Sequence, residues 1–290
     1  MSFDKAMNML NLASLVALMF ASGLQVGIDD VLKAARDKAL LLKAIFVNYG
    51  IIPSLALVLL RTLQAPPAVA AGFVILAVCP GAPIGPPLSK LAGGNLPASL
   101  TMMLVLSALS AFLSPMLLSI LLPHLSEGKA LNIDYLAIIT ALLLGQLLPF
   151  LAGLFCAAKA PGFAANFSKP LDRLSKAMFL LVLILITCTQ SQAFAQVRLQ
   201  GWLGMFILLS ASLMLGYFSG AKDPATCIAA ALSSGTRNGG VALLIALGNF
   251  PASPAVAAVV VYTVFSTFGA LAFAGFCKHL SKRKDPGVQT

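Results

Sequence analysis

Acidic side chains are scarce in this chain of 290 residues: nine, against nineteen lysines and arginines, with charged residues only 10% of the total. Soluble domains carry about 25% charged residues, so a soluble fold is excluded. Histidine is scarcer still, with two copies. The five cysteines, Cys79, Cys156, Cys188, Cys227 and Cys277, are scattered through apolar stretches without C-x-x-C spacing. They offer neither a zinc motif nor a disulfide framework and read as small core hydrophobes. No basic patch is interleaved with aromatics, so the net charge of +10 does not point to nucleic acid. The bases fall instead in short loops beside apolar runs, where they set membrane orientation.

What the chain has in quantity is apolar sequence. Hydrophobic residues make up 59% of it, and runs of roughly 20 residues, enough to cross a bilayer, follow one another from Met7 to Cys277. Punctuation by charge, proline and glycine divides them into nine spans, at about 7–27, 38–61, 67–89, 94–122, 133–157, 168–190, 200–220, 224–248 and 250–277. The N-terminal run lacks a strongly basic flank and an obvious cleavage site, and is expected to be a retained first span. Placing the basic tail "KHLSKRKDPGVQT" in the cytoplasm leaves 14 lysines and arginines inside, 4 outside and Arg237 alone within the membrane. That bias predicts an external N-terminus and a cytoplasmic C-terminus in the cell's inner membrane.

Two spans are poor helices. "CPGAPIGPP" (79–87) packs four prolines and two glycines into nine residues, including Pro80, Gly81, Pro83, Gly85 and Pro86. Proline removes a backbone donor and clashes with the preceding turn. "SSGTRNGG" (233–240) sets Gly235, Gly239 and Gly240 among small polar residues, again unfavourable in a helix interior. Unwound backbone at membrane depth is tolerated only where protein or a wet cavity surrounds it. A pair of such interruptions in corresponding halves marks a transporter's binding site, although two passive kinks would look the same. The halves would be about 7–122 and 133–277, an inverted repeat of five plus five helices lacking the first.

The motifs "CPG" at 79–81, "GN" at 94–95, G-x-x-N-x-G at 235–240 and the polar residue before proline in "NYGIIP" (48–53) resemble the bile acid:sodium symporter superfamily. The resemblance covers essentially the whole chain. It implies an all-α polytopic membrane protein with a panel and a core domain, two crossed broken helices in the core, and organic anions as substrates. It also implies cation-site positions, and here the sequence departs from the pattern. A Ser-Asn pair of the first sodium site is replaced by Gly85 and Pro86. Ser99 is kept on the next helix, but its threonine partner is Met103. The glutamate shared by both sites is Ser233, next to Ser234, and the two glutamines of the second site are Asn48 and Arg237. Such a site has lost its only anion, and ordinary sodium coupling is not expected.

Arg237 also lacks a counter-charge. All nine acidic residues fall in loops or at span edges, and neither His124 nor His279 lies inside a span, which removes an obvious proton relay. Away from its edges no span holds the histidine, aspartate or glutamate that an intramembrane enzyme would need, and no cofactor is expected. A buried arginine costs ~2.5 kcal/mol or more and by default marks function. The sequence therefore predicts a carrier of a small carboxylate or sulfonate in which Arg237 stands in for a sodium ion. Arg237, Asn238, Thr236, Ser266 and Thr267 are its candidate substrate-binding residues. A carrier still driven by sodium through Asn48, Ser99, Ser233 and Ser234, a non-transporting anion receptor, and an arginine that merely staples the broken helices are the alternatives.

Overall fold

The computed structural model describes residues 3–27, 36–125, 135–189, 191, 197–220, 223–251 and 253–284. Asp29, Asp30, Lys33, Glu127, Lys129, Asp134, Lys222 and Asp285, all assigned to loops above, lie outside these residues. Among the described residues every regular element is helical. The elements are α1 (Phe3–Leu24), α2 (Lys38–Thr62), the pair α3a (Pro67–Ala77) and α3b (Gly85–Leu91), and α4 (Leu96–Leu121). There follow α5 (Tyr135–Lys159), α6 (Pro161–Thr189), α7 (Leu199–Ser219), the pair α8a (Pro224–Gly235) and α8b (Gly239–Asn249), and α9 (Pro254–Lys284). Six of them, α1, α2, α4, α5, α7 and α9, are long and apolar enough to cross a membrane. Rows of exposed Phe46, Phe112, Phe155, Phe206, Phe218 and Phe268 cover their outer faces, as acyl chains rather than water require.

Side-chain caps and prolines set the helix ends, because an apolar run continues past them. Asp37 accepts from the Leu40 amide at 3.0 Å, and Asn95 from Ala98 at 3.1 Å. Asp223 accepts from the amides of Ala225 and Thr226 and from the Thr226 hydroxyl, bonds that hold its carboxyl below the usual carboxylate range. Asn95 in turn donates from its amide side chain to Thr226 at 3.0 Å and from its backbone to Ala225 O at 2.8 Å, clamping the start of α4 to α8a. α6 begins at Pro161, earlier than the 168 expected. The turns added before 168 are uncharged; Lys169, Asp172, Arg173 and Lys176 follow them, with a Lys176–Asp172 ion pair at 2.7 Å.

Two helices widen into π turns just ahead of a proline. In α2 the turn spans Phe46–Ile51 before Pro53, and in α5 it spans Leu143–Leu147 before Pro149. A proline inside a helix leaves a carbonyl without its usual donor, and one inserted residue re-registers the ladder. Each wide turn buries one amide side chain, Asn48 and Gln146.

The helices form two groups. α1 packs most extensively on α5 and α6, crossing α5 at almost backbone contact. A Cβ on Gly23 would fall 2.2 Å from Phe150 O, and one on Gly153 2.2 Å from Phe20 O. The other group surrounds the two broken pairs. Two of the half-helices, α3a and α8b, are apolar on every side and are buried accordingly: Val74, Ile75 and Leu76 of α3a and Val241, Ala242 and Leu243 of α8b are all fully enclosed.

The interruptions are narrower than the motifs suggested. The first occupies 78–84 and the second 236–238. Pro80, Gly81 and Pro83 lie in the gap. Gly85 and Pro86, expected to help break the helix, open α3b instead, where proline's missing N–H is one the helix leaves unbonded anyway. Gly235 closes α8a and Gly239 opens α8b. Their lack of a side chain serves packing, since a Cβ would meet Leu213 Cδ2 at 2.5 Å and Thr263 Cγ2 at 2.4 Å respectively.

Replacing Gly23 by valine is expected to lower stability by ~1–3 kcal/mol through overpacking of the α1–α5 crossing. Gly275→Ala on α9, where nothing lies within 4 Å of the new Cβ, is expected to be neutral or stabilising by ~0.5–1 kcal/mol. Thermal denaturation of the two purified variants in one detergent distinguishes these outcomes.

Candidate substrate and cation site

The two interruptions meet. The Asn238 amide donates to Cys79 O at 2.8 Å, so backbone freed in one break satisfies backbone freed in the other. A Cβ on Gly85 would lie 3.3 Å from the Thr236 hydroxyl, which fixes how closely α3b approaches the second break. α4 braces the first break from behind. Ser107 donates to Gly81 O at 2.7 Å and Ser114 to Val78 O at 2.5 Å. Gly81 has φ +82, and a Cβ there would fall 2.4 Å from the Ser107 hydroxyl. It is the one position in the break where both backbone and space require glycine.

Arg237 projects from the second break with only 4% of its surface exposed. Its Nη1 donates to Ala77 O, the last carbonyl of α3a, at 3.2 Å, while Nη2 has no partner among the described residues. Tyr49, Cys79 and Tyr262 are its electrostatic neighbours. Among the described residues no carboxylate forms an ion pair with it. The positive charge is therefore opposed only by a carbonyl dipole at a helix C-terminus, the favourable end for a cation.

Around it stand further incomplete polar groups. Asn238 accepts from Val241 N at 3.2 Å as the cap of α8b, leaving its Nδ2 unpartnered. Thr263 Oγ1 and Tyr262 OH are likewise buried without partners. Thr236 is satisfied, donating to Leu232 O at 2.7 Å. Ser266 and Thr267 both donate back to Thr263 O of their own helix, at 3.2 and 2.7 Å. Neither is bonded to the break, and the α9 residue that abuts it is Thr263, against Gly239. Sequence reasoning named the two hydroxyls C-terminal to it. Four-residue spacing places Thr263 and Thr267 one turn apart on one face, so only the register was at issue.

The sequence-derived cation positions form a second polar group. Asn48 Nδ2 donates to Ser234 Oγ at 2.9 Å and to Ala44 O at 2.9 Å. The Ser99 and Ser233 hydroxyls lie 3.3 Å apart. All four side chains are buried, and Asn48 Oδ1 has no partner. These are neutral oxygens with no carboxylate among them.

Two residues that sequence reasoning missed tie the α1–α5–α6 group to the breaks. Asn11 of α1 donates to Gly240 O in the first turn of α8b at 3.0 Å. Gln146 of α5 donates to Ser107 O, the residue that itself holds Gly81. The oxygens of both amides are buried without partners. A buried amide next to a span's proline was the available signal for Gln146, the counterpart of Asn48 in "NYGIIP".

A family model for the sodium bile acid symporter family matches residues 12–197. The chain belongs to that family, a family of membrane transporters, and is an integral membrane protein. It is 24% identical over 283 residues to a Bacillus subtilis protein named "Uncharacterized sodium-dependent transporter YocS", an alignment covering 94% of this chain and 84% of that protein. It is 26% identical over 144 residues to an Arabidopsis thaliana protein named "Probable sodium/metabolite cotransporter BASS1, chloroplastic". That alignment takes in 50% of this chain and 35% of the plant protein's length. The second break, with Arg237, lies beyond the residues the family model matches.

Gly81→Ala is expected to destabilise the protein by ~1–3 kcal/mol through its left-handed backbone, and Ser107→Ala by ~1 kcal/mol through the lost bond to Gly81 O. Denaturant or thermal unfolding in detergent checks the ranking, glycine variant worse than serine variant.

Proposed function

We propose that the protein is an alternating-access carrier of a small organic anion, in which the guanidinium of Arg237 takes the place of a mobile sodium ion. The observation that carries this reading is the state of Arg237: buried, bonded through Nη1 to Ala77 O, and left with a free Nη2, while the next residue, Asn238, has an unpartnered side-chain Nδ2. A charged group kept at that cost with donors to spare is a seat for an anion, and a planar fork suits a carboxylate or sulfonate. Asn238 and Thr263 are the companions best placed to hydrogen-bond the substrate; Thr236 shapes the approach of α3b. The polypeptide would run as nine spans in an inverted repeat, 7–122 and 133–277. α1, α5 and α6 would form the panel against a core of the remaining helices. The N-terminus would be outside and the tail in the cytoplasm.

A tethered cation cannot dissociate and so cannot harvest a sodium gradient. Moving a monoanion inward against the membrane potential costs about 2.3 kcal/mol per 100 mV, which favours export, exchange or downhill flux. A second reading keeps sodium, held by Asn48, Ser99, Ser233, Ser234 and carbonyls. It draws support from the unpartnered Asn48 Oδ1 and from the printed names of both relatives.

Thermal stability of the purified protein against a panel of organic anions, with sodium exchanged for potassium, separates the readings. Ligand that binds the folded state raises stability by about 2.7 kcal/mol at a hundredfold excess over Kd. The expected result is anion stabilisation without sodium dependence in the wild type, and sodium-dependent anion binding in Arg237→Gln. Millimolar sodium stabilising the wild type, unmatched by potassium, would establish the second reading instead.

A further inference from the structure

One wedge of the molecule is open where its counterpart is filled. Two hairpins each join a full-length helix to a half-helix, α2 with α3a and α7 with α8a. In the second, glycines bring backbone to backbone: a Cβ on Gly216 would meet Ala230 O at 2.6 Å, and one on Gly220 Cys227 Cα at 2.5 Å. In the first, Leu59, Leu60 and Leu63 face Val69 and Phe73 across a cavity of 640 Å³ that α7 and α9 close on the other sides. Small-molecule sites occupy ~300–1,000 Å³.

The wall of this cavity is apolar except near one end, where Gln64 of the α2–α3a turn and Arg198 and Gln200 at the start of α7 contribute. Among the described residues no acidic side chain lines it and Arg198 forms no ion pair. From Arg198 the lining descends α7 to Leu208, about 15 Å at 1.5 Å per residue. Phe73 and Val261 also line the cavity, and Phe73 packs edge-on at 5.5 Å against Tyr262, an electrostatic neighbour of Arg237.

We infer that this cavity is a second binding site, for a single-chain amphipathic organic anion whose apolar body lies between α2, α3a, α7 and α9 and whose carboxylate or sulfonate meets Arg198. Charge complementarity fixes the sign of the head group, and the apolar wall fixes the character of the body. A volume of 640 Å³ among four helices suits one chain rather than the two of a phospholipid. The inference stands on residues separate from Arg237 and holds whether or not that residue replaces sodium.

The chain carries its own reporter. Its one tryptophan, Trp202, sits on α7 between the lining residues Gly201 and Gly204, its indole 5.9 Å from the Phe265 ring. Dibromostearate, titrated into the full-length protein in an uncharged detergent, is expected to quench Trp202 saturably, and its methyl ester to do so only weakly. Arg198→Gln is expected to raise the half-saturating concentration about fivefold, the size of a solvent-exposed ion pair. Val69→Phe is expected to remove saturable quenching with Arg198 intact, while Arg237→Gln leaves it unchanged. Equal quenching by acid and ester, or no effect of Arg198→Gln, would overturn the inference. So would stronger quenching by brominated phosphatidylglycerol, which would mark a lipid seat, or loss of quenching in Arg237→Gln, which would place the probe at the central crossing.

Discussion

Backbone that leaves a helix at membrane depth has no water to turn to, and in this protein the two departures bond to each other. The link from the Asn238 amide to Cys79 O accounts for much of the surrounding structure. Each break is short because only a few freed groups can be satisfied across the crossing. α3a and α8b must be apolar all round because the crossing buries them on every face. α4 must carry serines at 107 and 114 because the first break frees more carbonyls than the second can serve. Gly81, Gly85 and Gly239 follow from the same requirement, since the chains approach to distances at which a Cβ would collide with Ser107, Thr236 or Thr263.

Arg237 belongs to this arrangement without completing it. Were the arginine only a staple, economy would favour several carbonyls for its five donors, yet one bond to Ala77 O is what α3a offers it. The cost of removing a guanidinium from water is then only partly offset, and Asn238, Thr263 and Tyr262 of the same crossing are each also short of a partner. Unsatisfied buried polar groups are few in folded proteins, and three of them together with the free donor of one cation make a site that a bound group would complete. The Asn48–Ser234 and Ser99–Ser233 pairs differ in kind: their hydroxyls and amide largely satisfy one another, and no carboxylate is present to draw in a free cation.

How much of this was legible in the sequence depended on the physics each feature obeys. Apolar length and proline density reported the membrane helices and both interruptions, because span length and missing backbone donors are properties of local sequence. Gly85, Pro86, Gly235 and Gly239 were assigned to the breaks although they flank them, since composition does not say whether a proline ends one helix or begins the next. The start of α6 was set too late because Lys169, Asp172, Arg173 and Lys176 separate its first turns from the apolar run, and hydropathy sees only the membrane-facing part of a helix. The pairing of Asn48 with Ser234 lay within reach once both were named. Thr263, Asn11 and Gln146 were not, because their importance comes from what stands opposite them on another helix, and a single sequence holds no record of that register.

The contacts of Asn11 and Gln146 show how the two helix groups are coupled. One amide from α1 reaches the second break at Gly240, and one from α5 reaches the first through Ser107, so the α1–α5–α6 group holds one polar handle on each interruption. Within that group the Gly23–Gly153 crossing is at backbone contact, and interdigitated backbone does not slide without rupture. Between the groups, by contrast, the polar ties are single neutral hydrogen bonds, each worth roughly 0.5–1.5 kcal/mol. The same boundary is also packed, since Leu15, Leu18 and Met19 of α1 share one apolar core with Val241, Leu243 and Leu244 of α8b. In the carrier reading proposed above, it is this boundary, beside Asn238 and the crossing, at which relative movement would carry an anion held by Arg237 from one side to the other.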